Sequence, residues 1–311
     1  MDLYRFEFNA MGGCNELQLW GDAHAVRAAA AAAIADVRRI EAKYSRYRPD
    51  SVTSAINRAA GRAAVCIDDE TAALLDYADR CHALSGGAFD VTSGVLRRAW
   101  NFTASPPSLP DAATLARLTA LIGWSRVRRE THAVFLPTSG MELDFGGFGK
   151  EYAADRAATC CLEHGIVHGL VNLGGDVRVI GPQPDRRAWR VGIRHPRSAA
   201  VVATVALAAG ALATSGDYER YLEFEGRRYC HVLDARTGWP VDTWQSVSVA
   251  TSLCMVAGAC ATIAMLLGED GPAFLEEQGV DYLMMRADGS VRVARLIKSA
   301  EVWPLGVRSA A

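Results

Sequence analysis

The chain has 311 residues, half of them hydrophobic and 22% charged, a globular composition long enough to bury a core without disulfide or metal staples. Its 33 basic and 35 acidic residues leave a formal charge of −2, so nothing in the balance supplies a phosphate-tracking face, and nucleic-acid binding is not expected. The eight cysteines (14, 66, 81, 160, 161, 230, 254 and 260) include no C-x-x-C spacing. They read as reduced, buried small hydrophobes, which fits a reducing compartment.

Residues 1–8 alternate like a strand and lack a basic stretch followed by an apolar one, so no signal peptide and a cytoplasmic location are expected. Residues 23–44 are alanine-rich with Ile34, Val37 and Ile40 at helical spacing. Asp68 caps a second helix that runs to about residue 84 and is stopped by Gly86-Gly87. Pro106, Pro107 and Pro110 mark a loop, and Asp111 opens a short helix ending near residue 123. A further helix follows Gly146-Gly147 and ends at Gly165. Ala153, Ala154, Ala157, Ala158, Cys161 and Leu162 form its apolar stripe, and Glu151, Asp155, Arg156 and Glu163 lie off it.

Beyond Gly165 the pattern turns to strands at 167–173, 176–180, 189–194 and 201–207, then a hairpin of 219–224 and 227–233 around Glu225-Gly226. A strand at 244–250, a helix at 252–267 and a closing hairpin of 281–286 with 290–296 complete the series. Runs 199–215 and 250–268 carry no charge and imitate membrane spans, but alanine, glycine, threonine and serine dominate them and both read as core; no membrane span is expected. The fold class is α+β, with mixed, largely antiparallel sheets and packed helices. No linker divides the chain, so one unit spanning 1–311 is expected, its lobes falling at about 1–140 and 141–311.

Chemistry concentrates where glycines sit beside acids. Asp144-Phe145-Gly146-Gly147-Phe148-Gly149-Lys150 leads into a helix, and free N–H groups at a helix start with a lysine within one turn suit an anion. It is not a P-loop, because Asp144 replaces the first glycine and Glu151 the final Ser/Thr. Glycines placed for close helix–sheet packing explain the segment equally well. Asn172-Leu173-Gly174-Gly175-Asp176 reads alone as a turn. Ala213 to Tyr218 follows an apolar strand with polar residues, and His231 to Pro240 ends a strand with one His, one Asp, one Arg and one Thr. None of these decides a reaction by itself.

In this order and spacing the clusters resemble the FAD:protein FMN transferases, the flavin transferase (ApbE) family, along nearly the whole chain. The resemblance runs from Met11-Gly12 through Tyr44-Ser45-Arg46-Tyr47-Arg48-Pro49-Asp50-Ser51 with Ile56-Asn57, then Gly86-Gly87-Ala88-Phe89-Asp90-Val91-Thr92. It continues through Asp144 to Lys150 with Tyr152 and Asp155, Val171 to Asp176, Ala213 to Arg220, and His231 to Pro240. The resemblance implies two lobes around one flavin-nucleotide cleft. It also implies transfer of the FMN half of FAD to a Thr or Ser hydroxyl of an acceptor redox protein, with AMP released. Met11, Tyr47, Ala88, Phe89, Asp90, Asp144, Lys150, His231 and Val232 become FAD contacts, with Tyr47 and Phe89 as stacking rings. Asp144 and His231 become the catalytic pair, His231 accepting the proton of the incoming hydroxyl.

A divalent metal, usually Mg²⁺, is implied as well, held by the backbone carbonyl at Gly147, by Thr262 and by a carboxylate four residues before it. Here Gly258 stands at that carboxylate's position. Glu151 in turn replaces a glycine usual in the family. The expectation is that Glu151 decorates the first helical turn, where acids are favoured; the alternative is that it returns the missing charge to the site. The lost carboxylate also leaves room for two other readings, an FAD pyrophosphatase and a non-catalytic FAD-binding protein.

Overall fold

The computed structural model describes residues 1–294 and 301–302. In chain order the elements are β1 (Asp2–Ala10), β2 (Gly13–Gly21), α1 (Ala23–Tyr44), α2 (Val52–Ala59), β3 (Val65–Cys66), α3 (Asp69–Leu84), α4 (Ala112–Thr119), β4 (Arg128–Glu130) and β5 (Ala133–Phe135). Then come α5 (Gly149–Glu163), β6 (Gly169–Leu173), β7 (Asp176–Gly181), β8 (Trp189–Arg194), β9 (Val201–Leu207), β10 (Gly210–Gly216), β11 (Tyr221–Phe224) and β12 (Arg227–Cys230). The series ends with β13 (Ser246–Thr251), α6 (Cys254–Leu267), α7 (Gly271–Glu277), β14 (Asp281–Met285), β15 (Val291–Ala294) and β16 (Glu301–Val302), the last paired antiparallel with β9. The strand expected over 290–296 thus ends at Ala294, and residues 295–296 lie outside the described residues.

An eight-stranded sheet in the order β1-β2-β6-β7-β10-β13-β14-β15 is antiparallel at every pairing. Alternation along its strands serves two layers. Val171, Ala211 and Ala213 face the helices α1, α5 and α6, while Leu170, Leu212 and Val179 face the β8–β9 hairpin with Trp189, Ile193 and Val205. One apolar core runs from Phe8 to Met284, and β2 pairs with β6, so strands from before and after residue 140 share a sheet.

Two details bear on the site. Helices α1 and α5 meet through small residues: Ala29, Ala30 and Ala33 on one, Ala153, Ala154 and Ala157 on the other, all fully buried. Small side chains let two helix backbones approach closely. Asp22 caps α1, accepting a hydrogen bond from the His24 N–H at 2.9 Å. On its other side α5 packs against α6 and β7, so it is covered on more than one face.

Two sequence expectations are corrected and two helices are added. The run 199–215 holds two strands, β9 and β10, turned at Gly210 with φ +89°. Helices α2 and α7 were not legible. Cys14 and Cys66 are exposed, although the other six cysteines are buried and all eight are free thiols. The expectation for 250–268 as core holds: α6 and α7 together are long and apolar enough to cross a membrane, yet α6 is packed between β10, β13 and α5.

Candidate functional site

The tip of the β1–β2 hairpin opens the site. Met11 (φ +55°) and Gly12 (φ +77°) are both left-handed, the geometry of a two-residue type I′ turn, and methionine there carries backbone strain that glycine or asparagine would avoid. The Gly12 Cα lies against the Arg220 guanidinium, which approaches within 3.5 Å of where a Cβ would stand. Arg220 in turn presents its carbonyl to His231, accepting from the backbone N–H at 3.0 Å and meeting Nδ1 at 3.2 Å. A carbonyl accepts only, so Nδ1 carries the proton and Nε2 is left as the basic nitrogen. His231 is exposed at the rim yet crowded; desolvation lowers its pKa below the ordinary histidine value, and the charges of Arg220, Lys150 and Arg46 push the same way.

The loop after α1 supplies the next wall. Arg46 pairs with the Asp144 carboxylate and donates to the Tyr47 hydroxyl at 2.8 Å. The Tyr47 ring is 73% exposed, open to a flat ligand, with the Arg46 guanidinium 5.0 Å from its centroid. Asp144 also accepts from the Gly146 N–H at 2.9 Å, which bends the loop toward α5. In the sequence Arg46 stands only within a motif; its pairing with Asp144 makes it a site residue, and the signal is its place directly before Tyr47.

Ala88, Phe89 and Asp90 form the floor. All three are buried. The Phe89 ring stacks on Phe148 at 6.2 Å and lies so close to Gly147 that a Cβ there would be 2.8 Å from its tip. Its faces are covered by protein, unlike those of Tyr47. The Asp90 carboxylate accepts from the Thr92 N–H (2.7 Å), the Thr92 hydroxyl (2.6 Å) and the Trp124 N–H (2.9 Å), so its oxygens hold the loop together. Val232 is buried beside Cys230, whose thiol donates to the Val232 carbonyl at 3.6 Å.

Helix α5 starts at Gly149 with Phe148 as N-cap, which offers no side-chain acceptor to the first-turn N–H groups. Lys150 Nζ stands 2.7 Å from Asp176 Oδ2. Burial opposes the ammonium, but Asp176 and then Glu151 more than offset it and hold the lysine above its ordinary pKa, hence charged. Asp176 is 2% exposed and also accepts from the Thr214 N–H at 3.1 Å. Next to Thr214, the Ser215 hydroxyl is 2.7 Å from the hydroxyl of Thr262 on α6.

The expectation for Glu151 is overturned. Its side chain turns inward to the α5–α6 contact, where a Cβ on Gly258 would meet its Cγ at 2.6 Å and Oε1 at 2.8 Å. Glu151 Oε2 is sealed from solvent without a hydrogen-bond partner. Burial, reinforced by the Asp176 charge and opposed by Lys150, raises this carboxyl well above the usual range. Asp155, one turn along, also faces inward: it accepts from the N–H groups of Cys254 and Met255, both at 2.9 Å, and pairs with Arg178 at 3.1 Å. It thus caps α6, whose own N-cap Leu253 has no capping side chain. Among the described residues no three His, Cys, Asp or Glu side chains converge as a metal site.

An ammonium, two guanidinium groups, an uncapped helix start and an open aromatic ring around one patch define a protein that receives a phosphate-bearing ligand with a planar ring. The comparisons give that class its family. The ApbE family model matches residues 11–284. FAD:protein FMN transferase of Treponema pallidum is 33% identical over 270 residues, covering 80% of this chain and 75% of that protein. The Klebsiella pneumoniae protein of the same name is 32% identical over 248 residues, covering 78% and 77%. In structure the chain is similar to the ApbE protein of Thermotoga maritima, with a TM-score of 0.89 at 30% identity over 96% of this chain and 99% of that one. A mutant of the flavin transferase ApbE from Vibrio cholerae gives 0.86 at 26%, again over 96% and 99%. The chain belongs to the ApbE family.

Proposed function

We propose that this protein transfers the FMN half of FAD to a Thr or Ser hydroxyl of an acceptor protein and releases AMP. The observation that carries this reading is the convergence of Lys150, Arg46 and the His231 imidazole on one patch beside the exposed Tyr47 ring, in a chain of this family. The acceptor oxygen attacks the phosphorus on the FMN side of the pyrophosphate. The bond from that phosphorus to the bridging oxygen breaks, and AMP leaves with the electron pair.

His231 Nε2 takes the hydroxyl proton; its lowered pKa keeps it unprotonated at neutral pH. Lys150 meets charge on the phosphates, and Asp176 fixes the ammonium in place. Tyr47 covers a ring of the ligand. Arg46 ties Asp144 down, so Asp144 works as a paired anion that orients rather than as a free base.

A divalent cation, when bound, supplies charge neutralisation on the leaving phosphate. The residues present fit such an ion: Thr262, the Gly147 carbonyl and a buried, unpartnered carboxylate oxygen of Glu151 are hard oxygen donors. The unpaired cysteines support a reducing, cytoplasmic setting for the reaction.

The test is incubation of the protein with FAD, Mg²⁺ and candidate acceptor loops bearing Thr or Ser, with AMP assayed and acceptor mass measured. The expected result is equimolar AMP and acceptor carrying FMN. AMP without a mass gain makes the protein a pyrophosphatase, and neither product makes it a binder.

A further inference from the structure

Positions 151 and 258 face each other across the α5–α6 contact, and a side chain at 258 would displace that of Glu151 from its present position. The Cβ that Gly258 lacks would lie 2.6 Å from Glu151 Cγ, 2.8 Å from Oε1 and 2.9 Å from Cδ. The Glu151 carboxyl therefore occupies the volume a residue at 258 would fill. It also lies beside Asp176, so two buried carboxyl groups share one ammonium, that of Lys150. Glu151 Oε2 is closed to solvent and finds no donor. A sealed carboxylate oxygen without a donor costs free energy unless a cation or proton meets it. One turn beyond Gly258 on the same face of α6, Thr262 brings a hydroxyl oxygen to the contact with Ser215. Carboxylate and hydroxyl oxygens are the donor set of a hard divalent ion, and burial holds the nearby Cys254 thiol protonated, well above its ordinary pKa.

We propose that Glu151 is the carboxylate that binds a divalent cation in this protein, delivered from the first turn of α5 into the space left open by Gly258. The two positions are coupled: the carboxylate from α5 lies over the glycine on α6. The proposal rests on the transferase reading for the ion's purpose but not for its binding, which is measurable without flavin or acceptor.

The experiment titrates Mn²⁺ into the full-length protein and follows the free aquo ion by electron paramagnetic resonance, with thermal melting to show that each variant is folded. Glu151→Gln is expected to weaken Mn²⁺ binding at least about tenfold, since even outer partners of a metal site cost that much. The double variant Glu151→Gly with Gly258→Asp is expected to bind within a few-fold of the parent, and it keeps the test decisive if Glu151→Gln does not fold. Parent-like binding by Glu151→Gln, no binding by the parent, or a folded double variant that binds no ion overturns the proposal. Mn²⁺ binding lost in Glu151→Gln while the parent releases no AMP from FAD sinks the transferase reading and leaves this one standing. AMP release with parent-like Mn²⁺ binding in Glu151→Gln does the reverse.

Discussion

Asp155 and Glu151 stand one turn apart on α5, both turned into the contact with α6, and they differ in what meets them. Asp155 has two helix N–H groups and a guanidinium; Glu151 has an oxygen with no hydrogen-bond donor and shares the Lys150 ammonium with Asp176. A carboxylate whose oxygens are all engaged is part of the frame, and one left short of donors has capacity for a proton or a cation. The same distinction sorts the floor of the site. Asp90 spends its oxygens on Thr92 and Trp124, whereas the Tyr47 side chain is largely exposed and His231 Nε2 is left as the basic nitrogen.

The contrast breaks most visibly at Asp155. Asp155→Ala strips the cap from α6 and leaves Arg178 without its carboxylate, and we expect a loss of about 3–5 kcal/mol of folding free energy in denaturant titration. A variant as stable as the parent would show that Asp155 is not the frame residue it is taken for. Gly258→Asp alone should cost about 1–3 kcal/mol, because it drives a side chain into the space of Glu151; Glu151→Gly in the same chain should restore most of it. Additive melting shifts in that double-variant cycle would mean the two positions do not compete.

Glu151→Gln conserves volume and should change stability by no more than about 1.5 kcal/mol, so its effect appears in ion binding rather than in folding. The smallest effect is in pH dependence. Because the His231 pKa is lowered in the folded protein, the acid limb of kcat/KM should lie below the ordinary histidine value of about 6.5. The sign for stability follows: the neutral ring's contribution is complete above that ordinary value and is lost as pH falls through the lowered one. An acid limb above 6.5 would remove His231 from the proton-accepting role.

Much of this was legible in the sequence, and the failures have physical causes. The starts of the capped helices were placed to within a residue, α1 after Asp22, α3 after Asp68 and α4 after Asp111, although α4 ends at Thr119 rather than near residue 123. Strand β10 was hidden because the run from Val201 to Gly216 has no charge and turns at Ala208-Ala209-Gly210 without the polar residues that punctuate most turns. Glu151 was misread for a different reason. A helical stripe assigns one buried face, but α5 packs against α1 and also against α6 and β7, so Glu151 and Asp155, off the alanine stripe, are partly buried too. The glycine at 258 was the available signal, since a missing side chain on a buried helix leaves a hole that a neighbour must fill. The pairing of Arg46 with Asp144 joins residues 98 apart, and no spacing rule reaches that far.

The most direct measurement is anomalous scattering from a crystal of the protein soaked with Mn²⁺ and FAD. A peak within coordination distance of the Glu151 carboxylate and the Thr262 hydroxyl, beside the pyrophosphate, is the result predicted. Flavin bound in the cleft with the ion elsewhere, and Glu151 touching only protein, would contradict the account.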